Sequence, residues 1–90
     1  MESKMTWKVP PVCRDAVRAF LRYASNQLKV ETAAIRPISF HTLGNVANYI
    51  PFDNANIDPF LGRTIKVRYT LTIRERQDGK AWDRWYGDKR

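Results

Sequence analysis

One stretch decides the fold of this chain: Arg63-Thr64-Ile65-Lys66-Val67-Arg68-Tyr69-Thr70-Leu71-Thr72-Ile73-Arg74-Glu75-Arg76. Apolar residues occupy every second position from Ile65 to Ile73, and polar residues fill the gaps between them. Successive side chains of a β-strand point to opposite faces, so this spacing predicts a strand with one apolar and one polar face. The polar face is basic, because it carries Lys66, Arg68, Arg74 and Arg76. So long a strand is unusual, and we expect a bend or bulge within it.

A β-hairpin is predicted directly after this strand. Asp78-Gly79 separates the strand from a second strand-like run, Ala81-Trp82-Asp83-Arg84-Trp85-Tyr86. An Asp-Gly pair between two such runs is the strongest short-range hairpin signal. Trp82 and Trp85 are an odd number of positions apart, so in an unbulged strand they point to opposite faces. One tryptophan therefore joins the apolar side, and the other lies among the basic residues of the strand.

The N-terminal part predicts one main helix. Residues 1–9 are interpreted as a loose lead-in anchored by Trp7 and Val9, and Pro10-Pro11 is a typical helix start. Apolar residues then recur at spacings of three and four: Val17, Phe20, Leu21, Ala24 and Leu28. This stripe predicts a helix over about 12–29 that packs on the apolar face of the strand.

Three arginines follow one side of this helix at four-residue steps, Arg14, Arg18 and Arg22. Like charges at this spacing repel one another, and only Asp15 lies close enough to relieve them. Two interpretations stay open. The arginines form either an ordinary solvated helix face or a ladder of guanidinium groups that meets phosphates or carboxylates.

The middle of the chain predicts a short strand and a long loop. Residues 38–43 form the strand, which Gly44 ends, and residues 44–62 form an irregular loop in which Val46 to Ile50 has room for one helical turn. The loop contains four large apolar residues that are expected to plug one end of the core rather than to bind a ligand: Tyr49, Phe52, Ile57 and Phe60.

These elements predict one domain spanning residues 1–90, a length that suits a single core. The fold class is α+β. One main N-terminal helix, with at most a short second one, packs on an antiparallel sheet of about three strands that ends in the hairpin.

Charge is the strongest global signal. The 90 residues carry sixteen Lys and Arg against nine Asp and Glu, a net charge of +7. Residues 1–30 hold +4, residues 31–62 hold −2 and residues 63–90 hold +5. Two concentrations of positive charge favour a polyanion or an acidic protein surface as the partner. No signal-peptide pattern or membrane-spanning run is seen, and Cys13 is the single cysteine, so the cytoplasm is the expected location.

Signals for catalysis or metal binding are weak. A single histidine, His41, excludes most zinc-site spacings, and the four scattered glycines form no phosphate-binding loop. Nothing places Cys13 near His41, and Asp53 and Asp58 suit turn capping better than acid–base chemistry. No cofactor, metal or catalytic residue is therefore predicted.

Three functions remain, in decreasing order of preference. The first is a non-catalytic nucleic-acid-binding module, with single strands favoured, because basic residues bind phosphates and an exposed tryptophan stacks on bases. Its binding residues are expected to be Arg14, Arg18, Arg22, Lys66, Arg68, Arg74, Arg76, Trp82 and Trp85. The second is a small inhibitor or adaptor of the mobile-element type, acting in anti-defence or host takeover, that docks on an acidic or nucleic-acid-handling protein. The third is a toxin-like, metal-independent ribonuclease that uses His41, arginines and a tyrosine.

Overall fold

The computed structural model describes residues 2–45 and 47–72. Its strands are β1 (Glu2–Lys8), β2 (Ile35–Thr42), β3 (Ile50–Pro51) and β4 (Thr64–Leu71), and its helices are α1 (Ala16–Leu28) and α2 (Asn54–Ile57). Two short 3-10 turns, Thr32–Ala34 and Asp58–Phe60, precede β2 and follow α2. The two helices pack on an antiparallel sheet with the strand order β1-β4-β2-β3. The predicted α+β class is confirmed, with one strand more than expected.

The alternating stretch forms the central strand, β4. Ile65, Val67 and Tyr69 are buried, as their spacing predicted, and β1 and β2 pair with β4 on its two sides. Within its described residues β4 is regular. The irregularity lies instead in β2, where the register shifts between Pro37 and Ser39, because proline has no N–H to give to the ladder. The predicted strand beyond Thr72, the Asp78-Gly79 hairpin and both tryptophans of the hairpin lie outside the described residues.

The interpretation of residues 1–9 as a loose lead-in was wrong. Glu2–Lys8 is a strand whose residues pair one to one with β4, from Glu2 opposite Thr70 to Lys8 opposite Thr64. The sequence did contain the signal, since Met5, Trp7 and Val9 alternate with Lys4, Thr6 and Lys8. Trp7 is only 3% exposed and Val9 is fully buried, so the anchoring role given to these two residues was right.

The helix α1 begins later than predicted. The backbone at Val9 and Pro10 is bonded to the turn before β4: Val9 N–H donates to the carbonyl of Arg63, and Gly62 N–H lies 3.0 Å from the Val9 carbonyl. The proline pair is therefore held to another segment, and the helix starts after Asp15. It ends at Leu28, because Lys29 takes a left-handed conformation with φ of 59°. The next strand, β2, begins at Ile35.

Aromatic rings fill the space between α1 and the sheet. Phe20 of α1 lies 5.4 Å from the ring of Trp7 and 5.4 Å from the ring of Phe52. Phe40 of β2 lies 5.8 Å from Phe52 and 5.1 Å from Phe60. Such pairs contribute about 0.5–1.5 kcal/mol each beyond the area that they bury. The ring of Phe20 also lies 6.4 Å from that of Tyr69, so the predicted packing of α1 on the β4 face is confirmed for the part of β4 that is described.

Residues 44–62 are more ordered than an irregular loop. They contain β3, α2 and a 3-10 turn. The short second helix lies at Asn54–Ile57 rather than at 46–50, because the Asp53 side chain caps it by accepting a hydrogen bond of 2.8 Å from the N–H of Asn56. Phe52, Ile57 and Phe60 join the core, as expected. Tyr49 does not, and it contacts the opposite face of the sheet.

No helix within residues 2–45 and 47–72 is long and apolar enough to cross a membrane.

Candidate functional site

The sheet has one face that neither described helix covers, which we call the outer face. It follows from the alternation of β4: Ile65 and Val67 point towards α1, so Lys66 and Arg68 point away from it. The register places Lys4 opposite Arg68 and Thr6 opposite Lys66. Five basic residues belong to this face on three neighbouring strands: Lys4, Lys8, Arg36, Lys66 and Arg68. The described strands contribute one carboxylate to it, from Glu2, so the face is strongly positive.

Arg68 lies in the middle of the outer face and is held in a fixed orientation. Its Nε donates a hydrogen bond of 3.0 Å to Oγ of Ser39, which is only 4% exposed. Its Nη1 lies 3.7 Å from Oε2 of Glu2 on β1. The Arg68 side chain is 30% exposed, and its planar guanidinium group is suited to phosphate. Because two neighbouring strands orient it, Arg68 loses little freedom when it binds an anion.

Tyr49 covers part of the same face. The guanidinium carbon of Arg68 lies 4.8 Å from the centre of the Tyr49 ring, and Nζ of Lys4 lies 6.0 Å from it. Both cations belong to the sheet below, so the other side of the ring is directed away from the strands. Sequence reasoning missed this residue as a site candidate. The available signal was its position beside Ile50, which packs against the core and so turns its neighbour to the outer face.

His41 contacts the ring of Tyr49. The two rings are 4.7 Å apart at 86°, an edge-to-face contact, and His41 is only 3% exposed. Its Nδ1 is buried and has no hydrogen-bond partner among the described residues. Lys66 is its neighbour across the β2–β4 ladder. The outer face therefore combines cations, an aromatic ring and one unsatisfied buried nitrogen.

The predicted site residues fall into three groups. Lys66 and Arg68 lie together on the outer face. Arg18 and Arg22 lie on the exposed side of α1, and the structure does not bring them to the outer face, since α1 packs on the opposite side of the sheet. Arg14 precedes the helix, so the predicted ladder has two helical members instead of three. Arg74, Arg76, Trp82 and Trp85 lie outside the described residues.

The helix arginines border a separate, shallow depression of about 460 Å³. Val17 and Leu21 contribute apolar surface to it, and Asp15 lies at one end. Oδ2 of Asp15 is 3.6 Å from Nε of Arg18. The N–H of Arg18 donates to Oδ1 of Asp15, and this bond, together with the guanidinium charge of Arg18, holds the pKa of the Asp15 carboxyl below its ordinary value. Part of the positive charge of Arg18 is thus balanced locally.

The weaker candidates for catalytic residues either lie on different sides of the sheet or already serve in a helix cap or a turn. Cys13 packs against the core, whereas His41 lies on the outer face, so the two do not form a nucleophile–base pair. Asp53 caps α2, and Asp58 starts the following 3-10 turn. Among the described residues, no group of three or more histidine, cysteine, aspartate or glutamate side chains is placed to hold a metal ion.

Comparison with known proteins found no matching family model, no matching curated protein and no matching solved structure. The geometry and charge of the outer face are therefore the basis for assigning a function.

Proposed function

We propose that the protein is a non-catalytic nucleic-acid-binding module that holds a single strand on its outer face. One observation carries the proposal: five basic residues share the outer face on three adjacent strands, two of them, Arg68 and Lys4, lie against the ring of Tyr49, and the described strands add a single carboxylate, Glu2. The expectation that the protein is not an enzyme stays a prediction.

The basic residues are arranged to meet several phosphates of one extended chain. Neighbouring strands lie about 4.8 Å apart, and alternate residues of one strand lie about 6.6 Å apart, so the backbone positions of the cations are spread over the outer face at these spacings. Each phosphate contact to a single strand makes the logarithm of the affinity fall by about 0.7 per logarithm of salt concentration. If all five residues take part, the slope should approach about −3.5.

The aromatic ring favours nucleic acid over an acidic protein surface. Tyr49 carries Arg68 on one side of its ring, and a base can stack against the phenol, an interaction that contributes about 1–3 kcal/mol per base in single-strand binders. In a duplex the base faces are already stacked on one another. The proposal therefore includes a preference for single strands, with Tyr49 in the role that sequence reasoning gave to Trp82 or Trp85.

The test is a charge reversal at each of the two basic surfaces. Lys4→Glu/Lys66→Glu changes the outer face, and Arg18→Glu/Arg22→Glu changes α1 by the same net charge. Fluorescence anisotropy with labelled single-stranded and double-stranded oligonucleotides, across a salt series, measures the affinity of each variant. We expect the outer-face variant to lose single-strand binding and the α1 variant to be weakened much less. Equal losses would show that net charge alone governs binding and would contradict a site on the outer face.

The alternative function, an inhibitor or adaptor that docks on an acidic protein, is favoured by the depression beside α1. It combines the cations of Arg18 and Arg22 with the partly buried apolar residues Val17 and Leu21, a composition suited to an acidic peptide. Absence of oligonucleotide binding by the parent protein at physiological salt would favour this function over the first.

A further inference from the structure

Burial of the His41 imidazole costs free energy, and packing alone does not explain why the protein tolerates this cost. Within residues 2–45 and 47–72 its buried Nδ1 has no hydrogen-bond partner, and buried polar atoms of folded proteins are nearly always satisfied. A neutral imidazole nitrogen can donate or accept a hydrogen bond, depending on the tautomer. An unsatisfied nitrogen under a partly exposed ring is therefore suited to a ligand that brings the missing partner.

Tyr49, the ring that contacts His41, is held by contacts that a ligand can replace. Tyr49 meets Arg68 in a cation–π contact and His41 in an edge-to-face contact, and such contacts are individually weak at a partly exposed position. Arg68, by contrast, is fixed from below by Ser39 and Glu2. The guanidinium is thus the stationary side of the stack, and the phenol is the side that can move.

We propose that Tyr49, Arg68 and His41 form a slot for one unpaired nucleobase, an inference that rests on the proposed function. The base enters between the phenol and the guanidinium as Tyr49 moves outward by about 3.5 Å, the contact distance between stacked carbons. Both faces of the base are then covered, one by an aromatic ring and one by a planar cation. The edge of the base supplies the hydrogen bond that Nδ1 of His41 lacks, which makes His41 the residue that distinguishes among bases.

The test separates base recognition from phosphate binding. Labelled oligonucleotides of equal length carry abasic sugars throughout, except for one type of base at the central positions, and a fully abasic strand is the reference. We expect the parent protein to bind base-bearing strands about 5- to 150-fold more tightly than the abasic strand. We also expect about three- to tenfold differences among the four bases, the scale of one hydrogen bond.

His41→Phe is the decisive variant, because it keeps an aromatic ring under Tyr49 and removes both nitrogens. Binding to base-bearing strands should persist, the differences among the four bases should disappear, and the salt slope should stay unchanged. Tyr49→Ala is the second variant. Because Tyr49 is partly exposed, we expect the variant to fold. It should lower affinity for every base-bearing strand towards that of the abasic strand, whereas Tyr49→Phe should bind like the parent.

The outcomes distinguish this inference from the proposed function. Equal affinity for all four bases in the parent, or differences that survive in His41→Phe, would overturn the role of His41 while phosphate binding on the outer face stands. Equal affinity for abasic and base-bearing strands would overturn the whole slot. A parent protein that binds no oligonucleotide would overturn the proposed function, and the slot with it.

Discussion

His41 is the residue whose environment departs most from ordinary packing. It lies on a strand whose next residue towards the N-terminus, Phe40, is a core residue, so alternation sends its ring to the outer face. There it contacts Tyr49, and its Nδ1 finds no partner in the part of the chain that the structure describes. A protein selected for stability alone would place an apolar ring at this position, because an unsatisfied buried polar atom costs free energy that phenylalanine would not.

Replacing His41 should therefore stabilise the protein. We expect His41→Phe to raise the free energy of unfolding by about 1 kcal/mol, since the unsatisfied nitrogen is removed while the edge-to-face contact with Tyr49 is kept. Urea denaturation of the two proteins measures the difference. Ser39→Ala is the contrasting variant, because it leaves Nε of Arg68 without its acceptor and should destabilise. A lower midpoint for His41→Phe would show that the imidazole makes a favourable contact in the folded state.

At the scale of the elements, capping residues rather than prolines set the helix boundaries. The Asp15 carboxylate accepts a hydrogen bond of 3.0 Å from the N–H of Arg18 in the first turn of α1. Asn54 joins the two helices at the same place, because its Oδ1 accepts a hydrogen bond of 3.1 Å from the N–H of Val17. The start of α1 is thus fixed by two side chains, one from its own N-cap and one from α2.

The Asp15 cap should make the stability of the protein depend on pH. The pKa of Asp15 is lowered in the folded protein, chiefly by the hydrogen bond from the N–H of Arg18. The contribution of Asp15 to folding stability is therefore complete above the pKa of the unfolded carboxyl group, near 3.8. It is lost as the pH falls through the lowered pKa of the folded state. Asp15→Ala should lower the thermal midpoint at pH 7, and this deficit should shrink in acid.

Asp15→Asn is the matched control for this experiment. Asparagine also caps helices but does not titrate, so it should keep most of the stability at pH 7 and lose the dependence on pH. Thermal melts of the three proteins between neutral and strongly acidic pH provide the measurement. A difference between parent and Asp15→Ala that stays constant down to the lowest pH would contradict the role of the ionised cap.

Periodic residues were easier to predict than those fixed by distant partners. Alternation in β4 and the α1 stripe are local patterns. Alternation gave the buried face of β4, and the stripe gave the buried Phe20 and Ala24, whereas Val17 and Leu21 are only partly buried and border the depression beside α1. Residues 1–9 were misjudged because only three apolar residues alternate there, and the partner that makes them a strand, β4, is more than fifty positions away. For the site, Lys66 and Arg68 followed from alternation, but Tyr49 did not. Its place depends on β3, a pairing of only two residues with β2.

At the scale of the whole molecule, the basic residues of the described strands and of α1 lie on two different sides. The N-terminal concentration of charge in the sequence is split by the fold: Lys4 and Lys8 join the outer face through β1, and Arg18 and Arg22 lie on α1 across the core. Charge counted along the chain carries no information on this division, because it depends on which strands become neighbours. The sheet order β1-β4-β2-β3 is what brings Lys4 next to Arg68.

This division predicts different kinetic effects for the two charge reversals. If nucleic acid binds on the outer face, the α1 arginines contribute only to the long-range field that attracts it. Arg18→Glu/Arg22→Glu should therefore slow association at low salt and leave the dissociation rate nearly unchanged. Lys4→Glu/Lys66→Glu should slow association to a similar degree and also speed dissociation, because it removes direct contacts.

Stopped-flow or surface-binding kinetics with one single-stranded oligonucleotide, at low and at physiological salt, can separate these effects. The two association rates should converge as salt rises, since a field from exposed charges is screened within about 8 Å at physiological ionic strength. The difference in dissociation rate should remain at both salt concentrations. Faster dissociation from the α1 variant instead would place the direct contacts on the helix, and the outer face would then be the side that only attracts.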